Sequence, residues 1–311
     1  MTRYRNGSLE PGVWGVLATP FLGSALDVDT DAVANLAVFY DRIGATGLTV
    51  LGVFGEAAGL SSAERADVIE TVVESSALPL VIGLTSLYTR PAIQEAAEAV
   101  SAAGARLAAV MVQIPSADTN VVIDHLTALH SAVGVPIVLQ DYPVASGVST
   151  TAEAIAAIVR SCPFVCAVKS ESPPTAVAVG LLDARVDVPV FGGLGGLGLL
   201  DELQAGAAGA MTGFSYPEAL ISCVDAWRTG GFPAAREALM PFLPLITFEQ
   251  QPRIALAIRK EVLRRRGLIA ESGVRSPAAG FPDGLDALLA AHLHAIEQSG
   301  SVRPATLIGD R

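Results

Sequence analysis

The chain has 311 residues, of which 51% are apolar and 16% charged, with a net charge of −11. This composition fits a packed globule and excludes disorder, and the acidic balance excludes nucleic acid and anionic membrane as partners. Residues 1–11 are polar without a signal-peptide core, and no uninterrupted apolar stretch is long enough to span a bilayer, so a cytoplasmic protein acting on small molecules is expected.

Short apolar, β-branched runs alternate with amphipathic stretches along the first 230 residues. Strands are predicted at 13–16, 48–53, 80–84, 107–112, 137–140, 165–169, 190–192 and 209–213. Between them, residues 31–43, 63–73, 91–103 and 121–132 carry apolar side chains at helical spacing, and Ser62 and Thr150 stand where N-caps belong. Strands apolar on both faces and separated by helices imply a parallel sheet covered by helices. Eight such units closing on themselves make an α/β fold, the (β/α)8 TIM barrel, over residues 12–229. An open doubly wound sheet is the alternative, but no strand leads into Gly-x-Gly-x-x-Gly with an acidic residue about twenty positions on. After residue 229 the rhythm stops. Helices are predicted at 234–248, 253–266 and 285–298, giving a C-terminal helical extension over 230–298 and a tail at 299–311.

Cys162, Cys166 and Cys223 are too few and too irregular for a zinc site or a disulfide framework. His125, His130, His292 and His294 lack metal-ligand spacing, so neither a metal nor a cofactor is expected. Lys169 stands out. It closes the apolar run 164–168 and precedes Ser170, Glu171 and Ser172. An ammonium held among apolar neighbours loses hydration, which favours the free amine as a nucleophile able to form a Schiff base with a ketone or aldehyde. The alternative is a strand-end lysine that reaches out to water.

In a barrel of this kind the chemistry sits at the C-terminal ends of the strands. That places Lys169 at the mouth. Gly52, Val53, Phe54, Gly55 and Glu56 follow the second strand, Gln113 the fourth, and Gln140, Asp141 and Tyr142 the fifth. Gly192 and Gly193, in a glycine run after the seventh, either cradle an anion or make a tight turn against backbone.

These markers have an order. Ala18-Thr19-Pro20-Phe21, Gly52-x-x-Gly55-Glu56, Tyr142-Pro143 with Gly147, Val168-Lys169, Arg259-Lys260-Glu261 with Gly267, and Arg275-x-Pro277 follow one another from about residue 12 to 290. The chain resembles the dihydrodipicolinate synthase / N-acetylneuraminate lyase family of class I aldolases. The resemblance implies a (β/α)8 barrel with C-terminal helices, usually a homotetramer. It also implies that Lys169 forms a Schiff base with pyruvate or another 2-oxo acid. The iminium withdraws electrons, so aldol cleavage, condensation and dehydration share one apparatus.

The chain also departs from that family. The two hydroxyl residues usual between the glycines of the second-strand motif are replaced by Val53 and Phe54, though backbone amides of the Gly55-Glu56 turn could hold a carboxylate. Gln140 replaces the tyrosine that serves the family as proton shuttle; Tyr142, two residues on, or a bound water is the candidate substitute, and the alternative is that Tyr142 simply packs at a strand end. Ala145 replaces the arginine that holds the synthase's aldehyde substrate, and Gln113-Ile114 lies where another tyrosine is usual. These losses argue against the lysine-pathway 4-hydroxy-tetrahydrodipicolinate synthase. The expected pocket is apolar, with Val53, Phe54, Ile114 and Val144 around Lys169. Gln113, Gln140, Asp141, Ser170 and Glu171 remain to hydrogen-bond a hydroxylated 2-oxo acid, and Glu56 is expected to brace its loop. The expectation is a Schiff-base lyase or dehydratase acting through Lys169. The alternatives are the synthase and a silent relative that only binds.

Overall fold

The apolar runs pair edge to edge and close. In a computed structural model of the chain, which describes residues 4–301, the strands are β1 (Gly12–Val16), β2 (Phe21–Leu22), β3 (Asp27–Val28), β4 (Gly47–Val50), β5 (Leu80–Gly83), β6 (Leu107–Gln113), β7 (Ile137–Asp141), β8 (Val165–Ser170), β9 (Val190–Gly192) and β10 (Gly209–Thr212). All but β2 and β3 form one parallel closed barrel in the order β1-β10-β9-β8-β7-β6-β5-β4. The chain therefore folds as the expected TIM barrel.

The helices are α1 (Thr30–Arg42), α2 (Ser62–Ser75), α3 (Thr89–Ala103), α4 (Thr119–Val133), α5 (Pro143–Ser146), α6 (Ala152–Ser161), α7 (Thr175–Asp183), α8 (Leu199–Gln204), α9 (Pro217–Leu239), α10 (Leu243–Phe248), α11 (Ala255–Arg265) and α12 (Asp286–Gln298). The caps sit one residue from their expected places. Ser61, not Ser62, caps α2: its hydroxyl accepts from the Glu64 amide while the Glu64 carboxylate accepts from the Ser61 amide. Thr151, not Thr150, caps α6. The β2–β3 hairpin is too short to show any periodicity in sequence. The second predicted strand also ends early, because residues 53–55 wind into a single 3-10 turn.

Two apolar clusters follow from strand alternation. Leu80, Ile82, Val110, Leu139 and Val168 face the helices in the larger one. Trp14, Val81, Met111, Val138, Ala167 and Phe191 form a smaller one that fills the lumen. Helix α9 breaks at Gly231, whose backbone (φ 64°, ψ −156°) no helix can contain. Beyond it, α10, α11 and α12 pack beside the barrel, and the segment between α11 and α12 folds back over its C-terminal mouth. No helix among the described residues is long and apolar enough to cross a membrane. Positions 302–311 of the expected tail lie outside the described residues.

Candidate active site

Strand β8 puts Ala167, Lys169 and Glu171 on one face and Val168, Ser170 and Ser172 on the other. Ala167 belongs to the lumen cluster, so Lys169 stands one layer above it, inside the barrel. On β7 the same alternation makes Val138 and Gln140 inward, and Gln140 lies in register with Lys169. The three polar side chains meet. The Lys169 Nζ is 3.1 Å from Glu171 Oε2, and the Gln140 amide donates to that same oxygen at 2.7 Å. All three are buried, at 6%, 5% and 2% exposure for Lys169, Glu171 and Gln140. The lysine therefore does not stand among apolar groups alone. It is paired with a buried carboxylate, which the Ser170-Glu171 step already encodes, since residues two apart in a strand share a face.

Glu171 is held from several sides. Its backbone amide donates to the Asp141 carbonyl at 2.8 Å, and the Leu194 amide donates to its Oε1 at 3.3 Å. A side chain on Gly193 would strike it, because an added Cβ would lie 2.3 Å from Glu171 Oε1. A Cβ on Gly192 would lie 1.8 Å from Oε2 of Glu202, a carboxylate of α8 buried on the helix side. The glycine run is thus a strip of backbone between two glutamates, and the structure gives Gly192 and Gly193 a packing explanation.

Asp141 faces the other way. It is the next residue after inward Gln140, so its carboxylate takes the hydroxyls of Ser170 at 3.3 Å and Ser172 at 3.2 Å on the outer face. Burial raises its pKa, with those hydroxyls opposing. It borders a groove between α6 and α7 rather than the lumen, so the expected contact between Asp141 and substrate does not follow from its placement.

A cavity of about 520 Å³ opens at the mouth. Gly52, Val53, Glu56, Gln113, Gln140 and Ala145 lie on its walls, and residues 275–279 roof it. Lys169 is not among the wall residues, but its cross-strand neighbour Gln140 is. The expected apolar shell is mostly absent, because only Val53 of its four members faces this space. Phe54 lies in the turn that replaced the strand end, and its ring packs on Gly213, with the Arg259 guanidinium 5.6 Å from its centroid. Ile114 follows inward Gln113 and so points into the outer core. Val144, on α5, is exposed. Tyr142 is half-buried just before α5 and outside the cavity walls. Burial raises its phenol's pKa, the Glu171 charge adds to the shift, and Arg259 opposes it.

Glu56 holds the roof. Its carboxylate pairs with Lys260 and accepts the Arg275 amide at 2.8 Å. Lys260 also donates to the Gly273 carbonyl and lies 4.1 Å from the Phe21 ring centroid. Arg275 is itself anchored to Glu64 and to the carbonyls of Leu26 and Gly59. The chain has only two lysines, and Lys260 is wholly committed to this latch. Lys169 is the other, paired with Glu171. Gly55, in the turn before Glu56, accepts the Thr19 hydroxyl at 2.7 Å.

Backbone strain gathers here. Among the described residues, the non-glycine positions with left-handed φ are Leu26, Leu51, Glu56, Leu194 and Arg253. Leu51, Glu56 and Arg253 line the cavity, and Leu194 bonds Glu171. Such strain clusters where a site over-determines the backbone. No group of His, Cys, Asp and Glu among the described residues is arranged to hold a metal ion.

The sequence profile of the Dihydrodipicolinate synthetase family matches residues 10–295. The chain belongs to that family. As a member it is a class I Schiff-base lyase or dehydratase, as expected from its markers. The chain is 28% identical over 276 residues to an L-2-keto-3-deoxyarabonate dehydratase of Azospirillum brasilense, covering 86% of this chain and 88% of that one. It is 32% identical over 163 residues to a 4-hydroxy-tetrahydrodipicolinate synthase of Sorangium cellulosum, covering 52% of this chain and 54% of the other. Among solved structures, a dihydrodipicolinate synthase from Rhodopseudomonas palustris superposes with a TM-score of 0.85 at 28% identity, covering 93% of this chain and 99% of that one.

Proposed function

We propose that this family member dehydrates a 3-deoxy-2-oxo acid through a Schiff base on Lys169, with Glu171 as the group that moves protons. One observation carries it: Glu171 Oε2 lies 3.1 Å from the Lys169 amine inside the lumen. The amine attacks the C2 carbonyl and water leaves, giving an iminium. The carbon next to C2 then lies within reach of a carboxylate that touches the nitrogen. Glu171 takes a proton from C3, the electron pair forms an enamine, and loss of the C4 hydroxyl, protonated by the same carboxyl, releases water. Hydrolysis of the remaining imine returns Lys169. Gln140, by donating to Glu171 at 2.7 Å, keeps the carboxylate turned towards the lysine.

The leading amides of the 53–55 turn have no partner within it. They are the groups that would bind the substrate's own carboxylate in place of the hydroxyls this chain lacks. Tyr142 is then unnecessary as a shuttle, because Glu171 takes that part. Support for dehydration over synthase chemistry comes from Ala145 on the cavity wall, at the position where the resemblance places the synthase's substrate-holding arginine. It comes also from the long match to a relative named as a dehydratase. A cytoplasmic homotetramer remains part of the proposal, to be tested by sedimentation and fractionation.

Borohydride reduction with pyruvate, followed by peptide mass mapping, tests the covalent step. The expected result is an adduct on the peptide carrying Lys169 and none in Lys169→Ala. A panel of 3-deoxy-2-oxo acids then tests for loss of water. If no acid is trapped, Schiff-base chemistry is ruled out and a silent binding protein remains. If acids are trapped but only cleaved or condensed, dehydration is ruled out.

A further inference from the structure

We propose that Arg253 is a subsite for a second carboxylate, so that the preferred substrates are 2-oxo acids bearing an anionic group at the end remote from the carbonyl. This rests on the Schiff-base proposal above and names its substrate class.

Three cavity-lining residues belong to acidic or basic types: Glu56, Arg275 and Arg253. The first two are spent on structure. Glu56 is neutralised by Lys260, and Arg275 by Glu64 and two backbone carbonyls. Arg253 has no hydrogen bond or ion pair among the described residues and remains exposed at the rim. The cavity therefore presents one uncompensated positive charge.

The backbone of Arg253 is also unusual. Its φ is +72°, in the left-handed region that side chains other than glycine, asparagine and aspartate seldom enter. Glycine would relieve that strain, so an arginine there is held at a conformational cost. The residue sits on the short connection between α10 and α11 and borders the same cavity as Gln140. A planar guanidinium in that position offers two parallel donors matched to a carboxylate.

Position decides which carboxylate. The acid group next to the carbonyl is one bond from the carbon that Lys169 holds, so it must lie deep, beside Gln140 and the 53–55 turn. Arg253 is at the solvent-facing rim of the same space. A cavity of about 520 Å³ leaves room beyond pyruvate for a chain that reaches the rim. The anion that Arg253 can hold is the far one.

The test compares 2-oxoglutarate with 2-oxohexanoate, a longer acid with an uncharged end, by borohydride trapping on the full chain. Wild type should reach half-maximal adduct at least tenfold lower concentration for 2-oxoglutarate. Arg253→Gln should bring the ratio to within twofold of one, Arg253→Lys should restore part of it, and high salt should shrink it. Equal half-saturation in wild type, or a ratio that Arg253→Gln does not move, overturns the proposal. Glutarate, which has no carbonyl, separates this result from the Schiff-base chemistry. Calorimetry should show it binding wild type at least tenfold more tightly than Arg253→Gln even if no acid can be trapped. Equal binding to both counts against Arg253 directly.

Discussion

Gln140 and Lys169 are register partners on neighbouring strands, and their side chains converge on one oxygen of Glu171 from 2.7 and 3.1 Å. The amide cannot exchange protons readily, but it can fix the group that does. If Glu171 moves protons for the Lys169 adduct, Glu171→Gln should lower turnover roughly 10²–10⁴-fold. Pyruvate trapping on Lys169 should persist, because the nucleophile remains. Gln140→Ala should cost less and alter kcat more than KM, since it only lets the carboxylate rotate. Tyr142→Phe should change turnover by less than about threefold, against the much larger range for a true proton-transfer group. A collapse of turnover in Tyr142→Phe with a mild effect in Glu171→Gln would return the shuttle to Tyr142.

The glycine strip offers a second handle on the same carboxylate. An added Cβ at Gly193 would lie 2.4 Å from Glu171 Cγ, so the glutamate must move or the backbone must yield. Gly193→Ala should therefore depress turnover by at least tenfold while a far-ultraviolet spectrum stays unchanged. Gly180→Ala serves as a control, since its added Cβ would meet nothing nearer than the Ala205 methyl, at 3.5 Å. Crystals of Gly193→Ala should show the Lys169–Glu171 pair opened. An intact pair together with lost activity would mean that the turn itself, not Glu171, was damaged.

How much of this the sequence could show depends on how local each signal is. The barrel was legible because β-branched runs such as 165–169 carry their periodicity within a few residues. So was Lys169, which breaks such a run. Glu171 was visible as its neighbour but not as its partner, since that required knowing that residues 169 and 171 share the lumen face. Phe54 was misplaced because an expected strand end is a 3-10 turn, and a turn rotates the ring away from the cavity. Asp141 was misplaced by one step of strand alternation. The roof was illegible for a different reason. The bond from the Arg275 amide to Glu56 joins positions 219 apart, and nothing in either segment announces the other.

The roof latch should be a major source of stability. Lys260 is fully buried and Glu56 nearly so, and breaking a buried pair by removing one partner leaves an uncompensated charge. Glu56→Ala should lose roughly 3–5 kcal/mol in urea unfolding, and Lys260→Met a similar amount. The double variant should recover part of that loss, giving a coupling energy well above the few tenths expected of independent sites. Additive losses would show that the two residues act separately and that the roof is held by Arg275 alone.

Glu202 predicts how stability varies with pH. Its carboxylate is 1% exposed and neither oxygen has a hydrogen-bond partner among the described residues. Burial pushes its pKa up to about 7 from an ordinary 4.5. The charges of Glu171 and Asp201 add to the shift, and the Thr175 hydroxyl, nearby but outside bonding geometry, opposes it. A raised carboxyl pKa means that the folded state holds the proton after the unfolded chain has released it. Stability from this group is therefore present below 4.5, falls as pH rises from 4.5 to about 7, and is fully lost above that. The total is roughly 3 kcal/mol at 1.36 kcal/mol per unit. Glu249, also pushed up to about 7 by burial, adds a slope of the same sign, so wild type alone cannot isolate Glu202. The difference between wild type and Glu202→Gln can. The glutamine stays neutral, so the variant should be more stable than wild type at about pH 8, with the gap closing towards about pH 5. Urea titrations across that range measure it directly, and a gap that stays constant with pH would show that Glu202 is not the group that titrates.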